Sequence, residues 1–209
     1  GDGFYLDLLC RRKCVLVEPE ANGASSLQRY IQDWALPDKH VETKGIHPSL
    51  SKVSITQFGS IYQRKSHQET KHALDQGIII CPHTQHSIES GTWDQGAATF
   101  NSDCMTPMQL LSKYDLFPEF IKIDVEGAER IVIQSLIDSG ASPDFIQYEY
   151  GTTWFHANES WEAMHNCTSK YYHYIIQPDR MCLVVNPIRQ YFYANFLASR
   201  IFLGEEVIF

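Results

Sequence analysis

Asp124, Glu126 and Glu149 stand at the ends of apolar runs, where a carboxylate can meet a ligand rather than the core. Ile121, Ile123 and Val125 alternate with Lys122, Asp124 and Glu126, which is the period of a strand. Beyond Gly127, Ile131, Val132 and Leu136 fall at helical spacing, so the run from Ala128 to Leu136 is expected to be a helix. In open α/β sheets ligands lie beyond the carboxyl ends of strands, so Asp124 and Glu126 would project into a crevice that holds a cofactor or substrate. Phe145 to Tyr150 reads as the next strand, with Glu149 at its end. Such a cluster can orient a hydroxyl or amino group and take its proton. Glu18 follows the β-rich run Val15 to Val17 and precedes Pro19, where an acceptor-only side chain suits a ribose diol.

Each acid also has a structural reading. Carboxylates in a first helical turn favour the macrodipole, which applies to Glu126 and assigns Glu129 to helix stabilisation, outside the site. Glu18 can be a strand-end glutamate beside a proline. Lys122 on a central strand is costly to bury alone and is expected to pair with a carboxylate. Among the nine dispersed histidines no H-x-H or H-x-x-x-H pair suggests a metal; His156 is the one positioned as an acid or base. The aromatic runs at Tyr171 to Tyr174 and Tyr191 to Tyr193 could stack on a sugar or another ring, with packing the favoured reading.

The elements that must position these acids follow from the same periodicities. Phe4 to Leu9 reads as the end of a short helix, Ala24 to Trp34 as an amphipathic helix stopped by Pro37, and Val41 to Ile46 and Lys52 to Phe58 as strands. From Gly59 to Asp103 the chain is rich in polar residues, with one confident apolar run at Ile78 to Cys81, and is expected to form loops and a hairpin over the active face. Thr106 to Tyr114 reads as a capped helix, Phe120 to Asp124 as a strand, Glu159 to Cys167 as a helix, and Tyr172 to Gln177 with Met181 to Asn186 as an antiparallel pair around Pro178-Asp179. Strands alternating with helices and then a hairpin predict an α/β fold whose sheet is largely parallel with an antiparallel C-terminal edge.

The chain has 209 residues, 44% hydrophobic and 20% charged, which suits one domain with a polar insertion around 59–103. A formal charge of -8 with no basic block argues against a nucleic-acid partner and favours a small molecule. No apolar run reaches the roughly 20 residues of a membrane helix. Six cysteines without a C-x-x-C pair indicate reduced thiols, and the sequons at Asn158 and Asn166 carry little weight, so a cytoplasmic address is expected. The chain opens at Gly1 on what reads as the end of a loop, so the first strand of the sheet is expected upstream.

The run from Lys122 to Glu129, K-I-D-V-E-G-A-E, resembles the core motif of the FkbM-type family of S-adenosylmethionine-dependent methyltransferases. A glycine loop at Gly1-Asp2-Gly3, V-x-V-E-P from Val15 to Pro19, and a strand ending near Glu149 stand in the same order. The chain departs from the family in having no D-V-G-A-N ahead of Gly1 and in reading Thr106-Pro107-Met108-Gln109 where T-L-D is usual. The polar middle matches no family pattern.

The resemblance implies a Rossmann-like methyltransferase sheet and S-adenosylmethionine as cofactor. Gly1, Asp2, Gly3, Glu18 and Asp124 would bind it, and Asp124, Glu126 and Glu149 would serve catalysis. The acceptor is expected to be a hydroxyl on a saccharide or small metabolite. O-methylation calls for a base or a metal near that hydroxyl, because its pKa lies far above neutrality. Lone glycines are also ordinary turn residues. A nicotinamide-dependent oxidoreductase would use the same Glu18 but lacks a recognisable catalytic Tyr/Lys pair, and a non-catalytic binding module remains a third reading.

Overall fold

A computed structural model describes residues 13–19, 21–33, 35–36, 38–58, 78–82, 98–125, 127–151, 154, 157–189 and 193–208. In chain order the elements are β1 (Cys14–Val17), α1 (Ala21–Asp33), β2 (Lys39–Glu42), β3 (Gly45–Ile46), β4 (Lys52–Phe58), β5 (Ile78–Pro82), β6 (Ala98–Met105), α2 (Pro107–Tyr114), β7 (Phe120–Ile123), α3 (Glu129–Asp138), β8 (Phe145–Tyr150), α4 (Trp161–Cys167), β9 (Tyr172–Ile176), β10 (Arg180–Leu183), β11 (Ala194–Ser199) and β12 (Glu206–Ile208). The helix expected at Phe4 to Leu9 lies outside the described residues.

Among the described residues the strands form three sheets. The largest has the order β12-β10-β9-β11-β8-β7, and only β7 and β8 are parallel; its other four pairings are antiparallel. A smaller sheet, β3-β6-β4-β5, is mixed, and β1 pairs with β2 in a separate parallel ribbon. This corrects the expectation of a Rossmann-like, mostly parallel sheet. The physical reason is β11, which the periodicity did not reveal. It returns between β8 and β9 and runs antiparallel to both. A parallel pairing needs a crossover connection, as α3 provides between β7 and β8, whereas antiparallel neighbours need only a turn or loop. The polar middle, expected to form loops and a hairpin, holds two strands where it is described, β5 and β6, and both pair with β4.

Local chemistry explains where several elements begin. Thr106, the N-cap of α2, accepts from the Gln109 N–H at 3.2 Å while the Gln109 side chain accepts from the Thr106 N–H at 2.8 Å, a closed capping box with Pro107 in the first turn. Asp115 ends the helix in the left-handed region at φ 47. Ser160 caps α4 by accepting from the Ala163 N–H. The buried Glu42 of β2 accepts from the Lys113 ammonium at 2.6 Å and the Tyr114 hydroxyl at 3.2 Å, which ties the β1/β2 ribbon to the end of α2.

The core gathers around β8. Ile146, Tyr148 and Tyr150 are buried with Phe196 and Ala198 of β11, Ile133 and Leu136 of α3, and Trp161 and Met164 of α4. The Tyr148 ring stacks on Phe196 and Trp154 at centroid distances of 5.4 and 5.9 Å. Bidentate pairing of Arg130 on α3 with Glu159 braces the start of α4.

A polar thread runs through this core. His173 of β9 is 2% exposed, with Nδ1 2.9 Å from the Tyr148 hydroxyl and Nε2 2.9 Å from Thr168 Oγ1. Thr168 has one hydroxyl proton, and it goes to the Met164 carbonyl at 2.6 Å. Thr168 must therefore accept from Nε2–H, which leaves Nδ1 to accept the Tyr148 proton. The neutral imidazole satisfies every member, and burial, with His165 nearby, pushes the His173 pKa down to about 4.

The folded pKa lies below the ordinary 6.5, so the unfolded chain takes up an extra proton between those values. Stability from neutral His173 is present above about pH 6.5 and is lost as pH falls towards 4; at most it amounts to about 3 kcal/mol. Urea unfolding at pH 7 and 4.5 should show that loss, and His173→Gln should be less stable at pH 7 and flatter across the interval. Equal slopes for the two proteins would refute the assignment.

Candidate functional site

The parallel pairing of β7 and β8 sets the site. Ile123 stands opposite Tyr148, so the next residues, Asp124 and Glu149, emerge side by side at the carboxyl ends of the two strands. Asp124 is exposed and Glu149 half-buried, near enough for the Asp124 carboxylate to act on Glu149. Two ionised carboxylates side by side repel, which favours a proton on one of them. Burial, with the Asp124 carboxylate beside it, pushes the Glu149 pKa up to about 8, which makes Glu149 the proton holder at neutral pH. Tyr193, just ahead of β11, pulls the other way and favours the ionised Glu149.

The turn that presents Asp124 is held from below. Glu129, 1% exposed, accepts from the Val125 N–H and the Gly127 N–H, each at 2.9 Å. Gly127 has φ 101, a conformation that a side chain would strain. The N-cap of α3, Ala128, makes no side-chain cap, and the two bonds of Glu129 reach back to the turn that precedes the helix. Burial pushes its pKa up to about 7, with the backbone donors pulling against that shift and the Asp124 charge adding to it. Its assignment to helix stabilisation understates its place. It shapes the loop on which Asp124 sits.

The predicted site residues divide into three groups. Asp124 and Glu149 are brought together. Glu18 is half-buried at the end of β1 in the separate ribbon, with its N–H bonded to the Glu42 carbonyl. Its carboxyl carbon lies 2.9 Å from where a Cβ on Gly23 would sit, so the side chain folds against the start of α1, where the helix dipole favours a negative charge. Gly1, Asp2, Gly3, Glu126 and His156 lie outside the described residues. Lys122 is exposed on β7, and the burial cost expected of it does not arise.

Tyr193, in an aromatic run for which packing is favoured over stacking on a ligand ring, is 58% exposed beside the site. The run itself is its sequence signal, but its place next to Glu149 depends on β11 entering beside β8. Among the described residues no group of three or more His, Cys, Asp or Glu is arranged to hold a metal ion, and no helix is long and apolar enough to cross a membrane. An open depression of about 370 Å³ lies on the outward face of α3, between Pro48 and Gln134, and none of the site carboxylates lines it.

Chemically, the Asp124–Glu149 pair is a one-proton store at a strand terminus. It can accept hydrogen bonds from N–H or O–H groups, attract a cation, and take up a proton once Glu149 has ionised.

Two substitutions test the arrangement. Glu129→Ala leaves one buried and one partly buried N–H group without their acceptor and should cost about 2–4 kcal/mol in chemical denaturation. For Glu149 the folded pKa is above the ordinary 4.5, so the folded state holds the extra proton and stability declines as pH rises from 4.5 through about 8. Glu149→Gln keeps a donor towards Asp124 and removes the titration. Its stability relative to the wild type should improve between pH 6 and 9; a constant difference would show that the carboxyls do not share a proton.

Comparison with known proteins gives no match: no family model, no curated protein and no solved structure matches the chain.

Proposed function

We propose that this protein is an S-adenosylmethionine-dependent methyltransferase that acts on a hydroxyl of a saccharide or small metabolite. The observation that carries the reading is the Asp124–Glu149 pair, set side by side by the β7/β8 register within the run that resembles the FkbM-type core motif. The reading draws on this pair and the motif, not on a parallel sheet.

The residues suit the cofactor's chemistry. A sulfonium is a cation, its amino and ribose groups are hydrogen-bond donors, and Asp124, Glu149 and Glu18 are acceptors with negative charge available. When bound, the cofactor supplies an electrophilic methyl group. Asp124 would orient the acceptor hydroxyl or the cofactor's amino group, and Glu18 would take the ribose diol. Glu149, once ionised, would take the proton of the acceptor hydroxyl.

Methyl transfer depends on holding donor carbon and acceptor oxygen in line, and positioning supplies much of the rate. The Glu129 clamp serves that need by fixing the Asp124 turn. A proton-holding Glu149 also means that a bound cation competes with that proton, so binding and deprotonation favour each other.

Isothermal titration of the intact protein with S-adenosylhomocysteine should show binding, weakened about tenfold or more by Asp124→Ala, the scale of a lost charged hydrogen bond. Glu18→Ala should weaken it as well. Absence of binding by the wild-type protein would overturn the proposal.

A further inference from the structure

We propose that Tyr193 belongs to the site as a positioning residue, its hydroxyl orienting Glu149 and its exposed ring forming the wall against which a flat part of the ligand packs. This rests on the methyltransferase reading for the identity of the ligand, but not for the role of the hydroxyl.

Three observations converge. β11 runs antiparallel to β8 with Ala194 opposite Tyr150 and Asn195 opposite Glu149, so Tyr193 stands where the chain enters the sheet, beside the end of β8. Its ring edge lies 3.6 Å from where a Cβ on the buried Gly151 would sit, which places the ring over the backbone that follows Glu149. It stands two residues from Asn195, the partner of Glu149, and acts on that carboxyl in the direction of ionisation, while 58% of the residue is open to solvent.

A tyrosine 58% exposed presents part of its ring to solvent beside the site. Such rings bind flat or apolar ligand groups with little loss of conformational freedom. The hydroxyl acts in the other direction on Glu149. It donates to the carboxylate and favours the ionised form, against the burial and the Asp124 charge that favour the proton. Tyr193 therefore helps set how readily the pair gives up its proton when a cation arrives.

The two halves separate by substitution. Tyr193→Phe keeps the ring and removes the donor; Tyr193→Ala removes both. Carboxyl-labelled NMR of the ligand-free protein should show the Glu149 titration midpoint moved to higher pH in both variants, with Glu149→Gln identifying the resonance. Titration with S-adenosylhomocysteine should show a further loss of roughly three- to tenfold in Tyr193→Ala over Tyr193→Phe, the scale of a lost aromatic contact. An unchanged midpoint in Tyr193→Phe would overturn the positioning role, and equal affinities of the two variants would overturn the wall. If the midpoint moves but the wild type binds no S-adenosylhomocysteine, the methyltransferase reading fails while the orientation of Glu149 by Tyr193 stands.

Discussion

A carboxylate taken out of water must find donors inside the protein, and Glu129 finds them in the backbone of the turn just before it. That single constraint organises the candidate site. By accepting from Val125 and Gly127, Glu129 folds the end of β7 back into α3, and the bend presents Asp124 at the mouth of the sheet. The parallel register with β8 then decides that Asp124 meets Glu149 rather than a side chain one step earlier or later, since a slip by one residue would send it to the other face. The clamp and the register act together. One fixes the height of Asp124 above the sheet, the other its neighbour.

The core behind this junction is built for rigidity. Tyr148 is adjacent in sequence to Glu149, and its ring is stacked between Trp154 and Phe196 while its hydroxyl is spoken for by His173. A fully satisfied polar thread in a packed aromatic core specifies one arrangement of β8, β9 and α4, because any shift leaves a donor or acceptor without a partner. The strand that carries the titratable carboxyl is thus anchored from the core side, while the carboxyl itself lies half-buried on the opposite face. That asymmetry suits a group whose protonation changes while its position does not.

Much of this was legible in the chain, and the part that was not has a physical explanation. Strands at Val15 to Val17, Phe120 to Ile123 and Phe145 to Tyr150 announce themselves by apolar periodicity, and the helix after Gly127 by its spacing. The Thr106-Pro107-Met108-Gln109 segment, a departure from the family pattern, is a capping box in which Gln109 answers Thr106. Periodicity reports that a strand exists and which face is apolar, but not its partners. Ala194 to Ser199 alternates too weakly to stand out, and its insertion between β8 and β9 turns the main sheet largely antiparallel. The juxtaposition of Asp124 with Glu149 could be anticipated from two neighbouring strand ends. The position of Glu18 could not, because nothing in a local pattern says that β1 and β2 form a ribbon of their own.

The hidden strand also changes what the site is. Without β11, Asp124 and Glu149 would be two acids with solvent on one flank, and their mutual repulsion would be eased by water. With β11 beside β8, Glu149 becomes half-buried, Asn195 stands opposite it, and Tyr193 covers the chain that follows. Burial raises the cost of charge on Glu149, the neighbouring Asp124 adds to it, and the Tyr193 hydroxyl partly offsets both. The three influences leave a carboxyl whose proton is held near neutrality, as a group must be if a nearby cation is to displace its proton at modest cost. The same antiparallel strand that removes the expected architecture therefore gives the acid pair its chemical character.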